Sequence, residues 1–99
     1  MIMGKVVGTV VATQKDSGLE GFKLQIVQSL DMPTMAPKDS FLVAVDAVGA
    51  GRDEIVLCCS GSSARLTSAT ENRPVDAVIV AIVDAAEMEG KAIYSKSQS

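Results

Sequence analysis

Residues 45–65 read VDAVGAGRDEIVLCCSGSSAR. This stretch decides whether the sequence predicts a nucleotide-binding or catalytic fold or a small β-barrel. It contains a Gly-Ala-Gly turn, two adjacent cysteines and a serine-rich segment that ends in Arg65. The six residues EIVLCC after the turn are short, apolar and β-branched, which is typical of a strand. The stretch therefore predicts one strand that turns through glycines into the next.

The glycines do not complete a phosphate-binding motif. Gly49 and Gly51 match the first two glycines of the dinucleotide fingerprint, but Glu54 stands where the third belongs. A strand follows instead of a helix whose amino end would hold a pyrophosphate. We therefore interpret Gly49-Ala50-Gly51 as a tight turn between strands.

The two cysteines do not suggest a metal or redox site. Cys58 and Cys59 are neighbours on a predicted strand, so their side chains point to opposite faces. The chain has no histidine, and a zinc site needs about four converging ligands. We predict two small, half-buried apolar residues, and no metal or cofactor.

The serines do not form a recognisable nucleophile. In Gly61-Ser62-Ser63-Ala64-Arg65, an arginine occupies the position of the closing glycine of a nucleophile elbow. The usual histidine base is also missing. The sequence therefore predicts that the protein is not an enzyme. A small enzyme or ligand-binding module remains an alternative, and loss of an activity on Ser62→Ala or Ser63→Ala would reveal it.

The rest of the chain has the pattern of an all-β domain, in which β-branched runs alternate with clusters of Gly, Pro, Asp and Ser. The predicted strands are 5–13, 23–30, 41–48, 54–59 and 75–83, with a brief pairing at 92–94 and a polar tail at 95–99. Closing five strands into a small barrel removes exposed edges. The predicted fold is therefore a five-stranded barrel with one short helix.

Three local features complete this prediction. Gly8 inside the first strand indicates a bulge or bend. Pro33 and Pro37 predict that residues 31–40 form no regular ladder. Ser62 or Ser63 is expected to cap a short helix over residues 62–69.

Size and charge restrict the class of protein. Ninety-nine residues form one domain, predicted to span 1–99, and 47% of them are hydrophobic. That high apolar share indicates surface covered by partner subunits. A net charge of −3 leaves no electrostatic footprint for nucleic acid or an anionic membrane. No membrane-length apolar stretch or signal peptide is recognisable, so a cytoplasmic location is expected.

The whole pattern resembles the EutN/CcmL family, the vertex proteins of bacterial microcompartments. The similarity runs in order through GKVVGTVVATQK, LEGFKLQIVQ, VAVDAVGAGRDEIVLCCSGSSAR, RPVDAVIVAIVD and AIYSK, from Gly4 to Lys96. The longest of these segments is the stretch around the glycine turn and the serines. One departure is Asp53, where many members carry glycine.

The resemblance implies a barrel like the oligonucleotide/oligosaccharide-binding (OB) fold, assembled as a homopentameric ring. Such rings are expected at the five-fold vertices of a cytoplasmic polyhedral shell, beside hexameric shell proteins, with neither nucleic acid nor membrane as partner. The segment around Arg65 is expected near the ring axis or between subunits, because a guanidinium can bind a carboxylate or carbonyls across an interface. The candidate interface or pore residues are Glu54, Ser60, Gly61, Ser62, Ser63, Ala64 and Arg65.

An OB-like nucleic-acid-binding module is the alternative, because the same fold often binds single strands. That function needs a basic groove with aromatic stacking platforms. The chain has two Phe, one Tyr, no Trp and a negative net charge, which argue against it. Oligonucleotide binding that weakens steeply with salt would favour it. The sequence does not identify the type of microcompartment or its enzymes.

Overall fold

The computed structural model describes residues 1–98, and for Gln98 the backbone only. The strands of this described part are β1 (Ile2–Val10), β2 (Leu24–Leu30), β3 (Pro37–Asp46), β4 (Ile55–Ser60), β5 (Ala77–Ile82), β6 (Ala85–Met88) and β7 (Lys91–Ser95). Short 3₁₀ helices cover Ser17–Leu19, Gly61–Arg65 and Lys96–Gln98.

The first five strands close into a barrel in the order β1-β2-β3-β5-β4, with β4 pairing back onto β1. Neighbouring strands are antiparallel except β3 and β5, which pair in parallel through Val45–Val78 and Asp46–Ile79. A five-stranded barrel of this kind is the OB-like architecture. The predicted all-β, five-stranded OB-like barrel is therefore confirmed.

Alternation along the strands fills the barrel interior. In β2, Gln25 and Val27 are buried while Leu24 and Ile26, on the other face, are only partly buried. The interior is so tight at Gly4 that an added Cβ would lie 2.8 Å from the carbonyl oxygen of Gln28. Farther along β1, the register shifts between Val6 and Gly8, so the predicted bulge is present.

A second apolar layer lies outside the barrel wall and positions the Gly61–Arg65 turn. Ala64 packs with Val45, Val75 and Val78 in one buried cluster. Arg73 fastens this layer to the Ser17–Leu19 turn, because its guanidinium Nη1 donates to the Gly18 carbonyl at 2.8 Å. The same guanidinium carbon lies 5.1 Å from the centre of the Phe22 ring, a cation–π arrangement.

Two sequence predictions about irregular segments are wrong. Residues 31–40 do contain ladder structure, because β3 begins at Pro37 and Pro37 pairs with Leu30. Proline is tolerated as the first residue of a strand, where its missing N–H is not required. The short helix spans Gly61–Arg65 instead of 62–69, and its cap residue Ser60 makes no side-chain capping bond.

The C-terminal part contains more structure than the sequence predicts. Instead of a brief pairing at 92–94, β6 and β7 form a two-stranded hairpin that is a sheet of its own. The predicted polar tail begins inside this hairpin, since Ser95 belongs to β7, while Ser99 lies outside the described residues. The described chain is elongated, with extents of 45 × 24 × 24 Å.

Candidate subunit-interface surface

The glycine turn is held by side chains of its own chain. Asp46 Oδ1 accepts hydrogen bonds from the backbone N–H of Val48 at 3.0 Å and of Gly49 at 2.9 Å. Gly49 has a φ of +77°, a conformation that a side chain would strain. Asp46 therefore stabilises the turn.

A buried amide ties the same turn to the barrel. Gln25 Nε2 donates to the Ala50 carbonyl at 2.8 Å, and Gln25 Oε1 accepts from Thr9 Oγ1 at 3.1 Å. Both polar ends of this fully buried side chain are therefore satisfied, as a buried amide requires. The turn residues serve the fold, which matches their interpretation as a strand connection.

Glu54 binds two groups within its own chain. Its Oε1 accepts from the Gly51 N–H, and its Oε2 accepts from Lys96 Nζ, both at 2.6 Å. The hydrogen bond from Lys96, followed by that from Gly51, lowers the pKa of Glu54, and the same ion pair raises the pKa of Lys96. Glu54 thereby joins the glycine turn to the segment that follows β7.

The cysteines alternate across the barrel wall. Cys58 is fully buried in the barrel core, and Cys59 packs against the outer cluster around Ala64 and Val78. Burial, with a smaller effect of Cys59, raises the pKa of the Cys58 thiol to about 11, so it is a neutral thiol at physiological pH. Within residues 1–98 no three His, Cys, Asp or Glu side chains are grouped to hold a metal ion.

The serine-rich segment presents an open surface. Gly61 has a φ of +66°, so it adopts the backbone conformation that its sequence position suggests. Ser60, Ser62 and Ser63 are exposed, as is Arg65. These candidate residues therefore lie together on the surface that follows β4.

Ala64 differs from its neighbours because it is fully buried within its own chain. Thr70 is also fully buried, and its Oγ1 donates to the Ala64 carbonyl at 2.5 Å. This hydrogen bond fixes the turn from its buried side. Ala64 therefore positions the exposed side chains on either side of it.

Beside this surface lies a shallow cavity of about 430 Å³, which we call the Leu66 recess. Its lining residues are Ser62, Arg65, Leu66, Glu71 and Asn72. Leu66 is a large apolar side chain and is 83% exposed. Sequence reasoning missed Leu66, although an apolar residue directly after Arg65 in a polar loop is a detectable signal.

Comparison with known proteins identifies the family. The family model described as "Ethanolamine utilisation protein EutN/carboxysome" matches residues 1–84. The chain belongs to the EutN/CcmL family. Among the family's curated members, the carboxysome shell vertex protein CcmL of Nostoc sp. is 47% identical over 96 residues, covering 97% of this chain and 95% of that protein.

Solved structures of family members share the fold. CcmL of Gloeobacter violaceus superimposes with a TM-score of 0.93 at 42% identity, covering 98% of this chain and 99% of that one. The GrpN pentameric microcompartment shell protein from Rhodospirillum rubrum gives a TM-score of 0.80 at 45% identity, covering 89% and 100%. These EutN/CcmL relatives are named as structural shell proteins and not as enzymes.

Among residues 1–98, none of the helices has the length and hydrophobicity needed to cross a membrane.

Proposed function

We propose that the chain assembles as a pentameric ring and occupies the five-fold vertices of a bacterial microcompartment shell in the cytoplasm. The supporting observation is the match to the pentameric shell protein GrpN, at 45% identity over 89% of this chain. Both CcmL and GrpN are named as shell proteins, so the same role is the simplest function for a relative this similar.

The geometry of closed shells gives this role its physical reason. A sheet of hexagonal tiles is flat, and pentagons at the vertices supply the curvature that closes it. The outer edges of the ring would then contact hexameric shell proteins. A five-fold ring also requires a heterologous interface, in which two different surfaces of one subunit meet those of its two neighbours.

The exposed serine-rich segment is our candidate for one of these two surfaces. Small side chains at Ser60, Ser62 and Ser63 permit close approach of another subunit, and Arg65 offers a planar fork of donors. Ala64 supports this surface from within its own chain, whereas Glu54 lies at the other end of β4, where it binds Gly51 and Lys96.

Arg65→Glu tests this assignment. We expect the substitution to weaken ring assembly about tenfold or more, because a central arginine is a common energetic anchor of interfaces. Arg52→Glu is a matched control, since Arg52 is also exposed and undergoes the same charge change. Gly61→Val is less suitable, because a φ of +66° makes a β-branched residue strain the subunit itself.

The assembly of Arg65→Glu is followed by size-exclusion chromatography and its folding by thermal melting. A loss of assembly without a change in melting of the dissociated subunit supports an interface role. Equal effects of Arg65→Glu and Arg52→Glu on assembly would contradict it.

Shell closure tests the proposed function. Co-expression of the protein with hexameric shell proteins from its own genome should give closed polyhedral particles in electron micrographs. Omitting the protein should leave open sheets, tubes or particles with gaps at their vertices. Closed particles with complete vertices in its absence would contradict the vertex role.

A further inference from the structure

The β6–β7 hairpin stands apart from the barrel. Its two strands, Ala85–Met88 and Lys91–Ser95, pair only with each other and form a separate sheet. A two-stranded hairpin without a third strand is at best marginally stable in water unless an apolar surface covers it. This hairpin therefore gains from a surface that its own barrel does not supply.

The hairpin is attached to the barrel at its base. There, the Val83 N–H donates to the Ile55 carbonyl of the barrel, while the Lys96 N–H donates to the Asp84 carbonyl and closes the hairpin, both at 2.8 Å. Tyr94 packs on the nearby cluster of Leu30, Ile55 and Val83. The base is thus fixed, which leaves the opposite end of the hairpin to project.

The projecting tip combines an apolar side chain with charges. Met88 is 40% exposed, and acidic Glu87 and Glu89 flank it in sequence. Lys91 faces Met88 across the hairpin register. Methionine is flexible enough to fill an irregular depression. The tip therefore suits a shallow site that has an apolar centre and charges of both signs.

The Leu66 recess has the complementary composition. Leu66 supplies an exposed apolar side chain, Arg65 a positive charge and Glu71 a negative one. Arg65 complements Glu87 or Glu89 of a docked tip, while Glu71 complements Lys91. Such pairing of both signs fixes the orientation of a docked segment more than it adds affinity.

The hairpin base and the recess lie at opposite ends of β4. The base is hydrogen-bonded to Ile55, the first residue of β4, and Ser60 at its other end leads directly into Arg65 and Leu66. Six strand residues span roughly 20 Å at about 3.3 Å per residue. A projection at one end and a depression at the other are the two unlike surfaces that a head-to-tail ring requires.

From these observations we propose that the hairpin tip of one subunit docks into the Leu66 recess of the next copy in the ring. The proposal rests on the pentameric ring of the proposed function and adds which two surfaces meet. Contact between Met88 and Leu66 forms the dry centre, and the charges around it form the rim. Repeating the same contact from subunit to subunit closes the ring.

Cysteine cross-linking of the full chain tests the docking. In a Cys59→Ser background, Leu66→Cys and Met88→Cys are combined and the protein is oxidised. A disulfide between neighbours at every interface predicts a ladder up to a covalent pentamer on a non-reducing gel. Val11→Cys combined with Met88→Cys is the matched control, because Val11 is 86% exposed and lies outside the recess.

The outcomes separate the docking from the ring. A ladder that exceeds the control supports docking. A ladder no stronger than the control, in a protein that still forms five-subunit rings by native mass spectrometry, overturns docking and leaves the ring intact. A wild-type protein without rings overturns the proposed function itself.

Charge reversal provides a second measurement if the cysteine variants fail to fold. Arg65→Glu alone and Glu87→Arg with Glu89→Arg should each weaken assembly at least tenfold, and all three changes together should restore most of it. The absence of any rescue, with all variants folded, would contradict the docking.

Discussion

At the scale of single residues, Asp53 stands out because its backbone is left-handed. Its φ is +71°, and its N–H donates to the Val6 carbonyl at 2.8 Å, which holds the turn between β3 and β4. Residues with a Cβ are strained in this region, and Asp or Asn tolerate it better than most. This backbone explains why many members of the EutN/CcmL family carry glycine at the position.

Asp53→Gly should therefore stabilise the folded subunit by about 0.5 kcal/mol, because relief of the left-handed strain exceeds the greater entropy of unfolded glycine. Asp53→Ala is the control and should destabilise by about 0.5–1 kcal/mol, because alanine has no polar side chain to offset the strain. Chemical denaturation measures both changes. A fall in stability for Asp53→Gly as large as that for Asp53→Ala would contradict this account.

The Glu54–Lys96 ion pair predicts a pH dependence. The folded pKa of Glu54 lies below its ordinary 4.5, so the contribution of Glu54 to stability is present above pH 4.5 and is lost as the pH falls through the folded pKa. The folded pKa of Lys96 lies above its ordinary 10.5. The contribution of Lys96 to stability is therefore present below pH 10.5 and is lost as the pH rises through the folded pKa. The ion pair therefore stabilises the fold between these two limits.

Glu54→Gln should lower the melting temperature at pH 7 and lose this effect in acid, below the folded pKa of Glu54. Lys96→Gln is the matched control. The double substitution should lower the melting temperature by less than the sum of the two single effects. Added salt should shrink the difference, because the pair lies at the surface. If the melting temperatures of wild type and Glu54→Gln differed by the same amount at pH 7 and in acid, that result would argue against the ion pair.

At the scale of elements, the strands of the barrel were predictable, and the pieces between and after them were not. The β-branched runs indicated the strands, and Gly8 indicated the bulge in β1. The hairpin turn was missed because Glu89-Gly90, with φ values of +53° and +79°, lacks the Asn-Gly or Asp-Gly signal of such turns. The helix predicted after β4 was too long. The hydrogen bond from Thr70 to the Ala64 carbonyl, which fixes the shorter turn, depends on how the chain folds back on itself.

Tyr94 should control the attachment of the hairpin, because it packs on the cluster of Leu30, Ile55 and Val83. We expect Tyr94→Ala to lower the free energy of unfolding by about 2 kcal/mol, which is less than the loss for a fully buried aromatic side chain. It should also speed hydrogen exchange in β6 and β7. Met88→Ala at the tip is the control and should leave exchange at the hairpin base unchanged. Unchanged exchange in Tyr94→Ala would show that another contact holds the base.

At the scale of the whole molecule, the function follows from surfaces and not from a reactive group. The high apolar share pointed toward assembly, the lack of histidine argued against a zinc site and a serine nucleophile, and the ordered similarity to EutN/CcmL proteins pointed to the shell. The sequence alone could not pair the hairpin with the Leu66 recess. Leu66 follows one end of β4, whereas the hairpin that carries Met88 is attached at the other end, and this placement depends on the fold.

Native mass spectrometry of the full chain tests the central claim, assembly into a five-subunit ring, most directly. At micromolar concentration and moderate ionic strength, we expect the dominant species to have five times the mass of one chain. Collisional activation should eject a single subunit and leave a tetramer. A stable monomer, or a dominant species with any other number of subunits, would contradict the account.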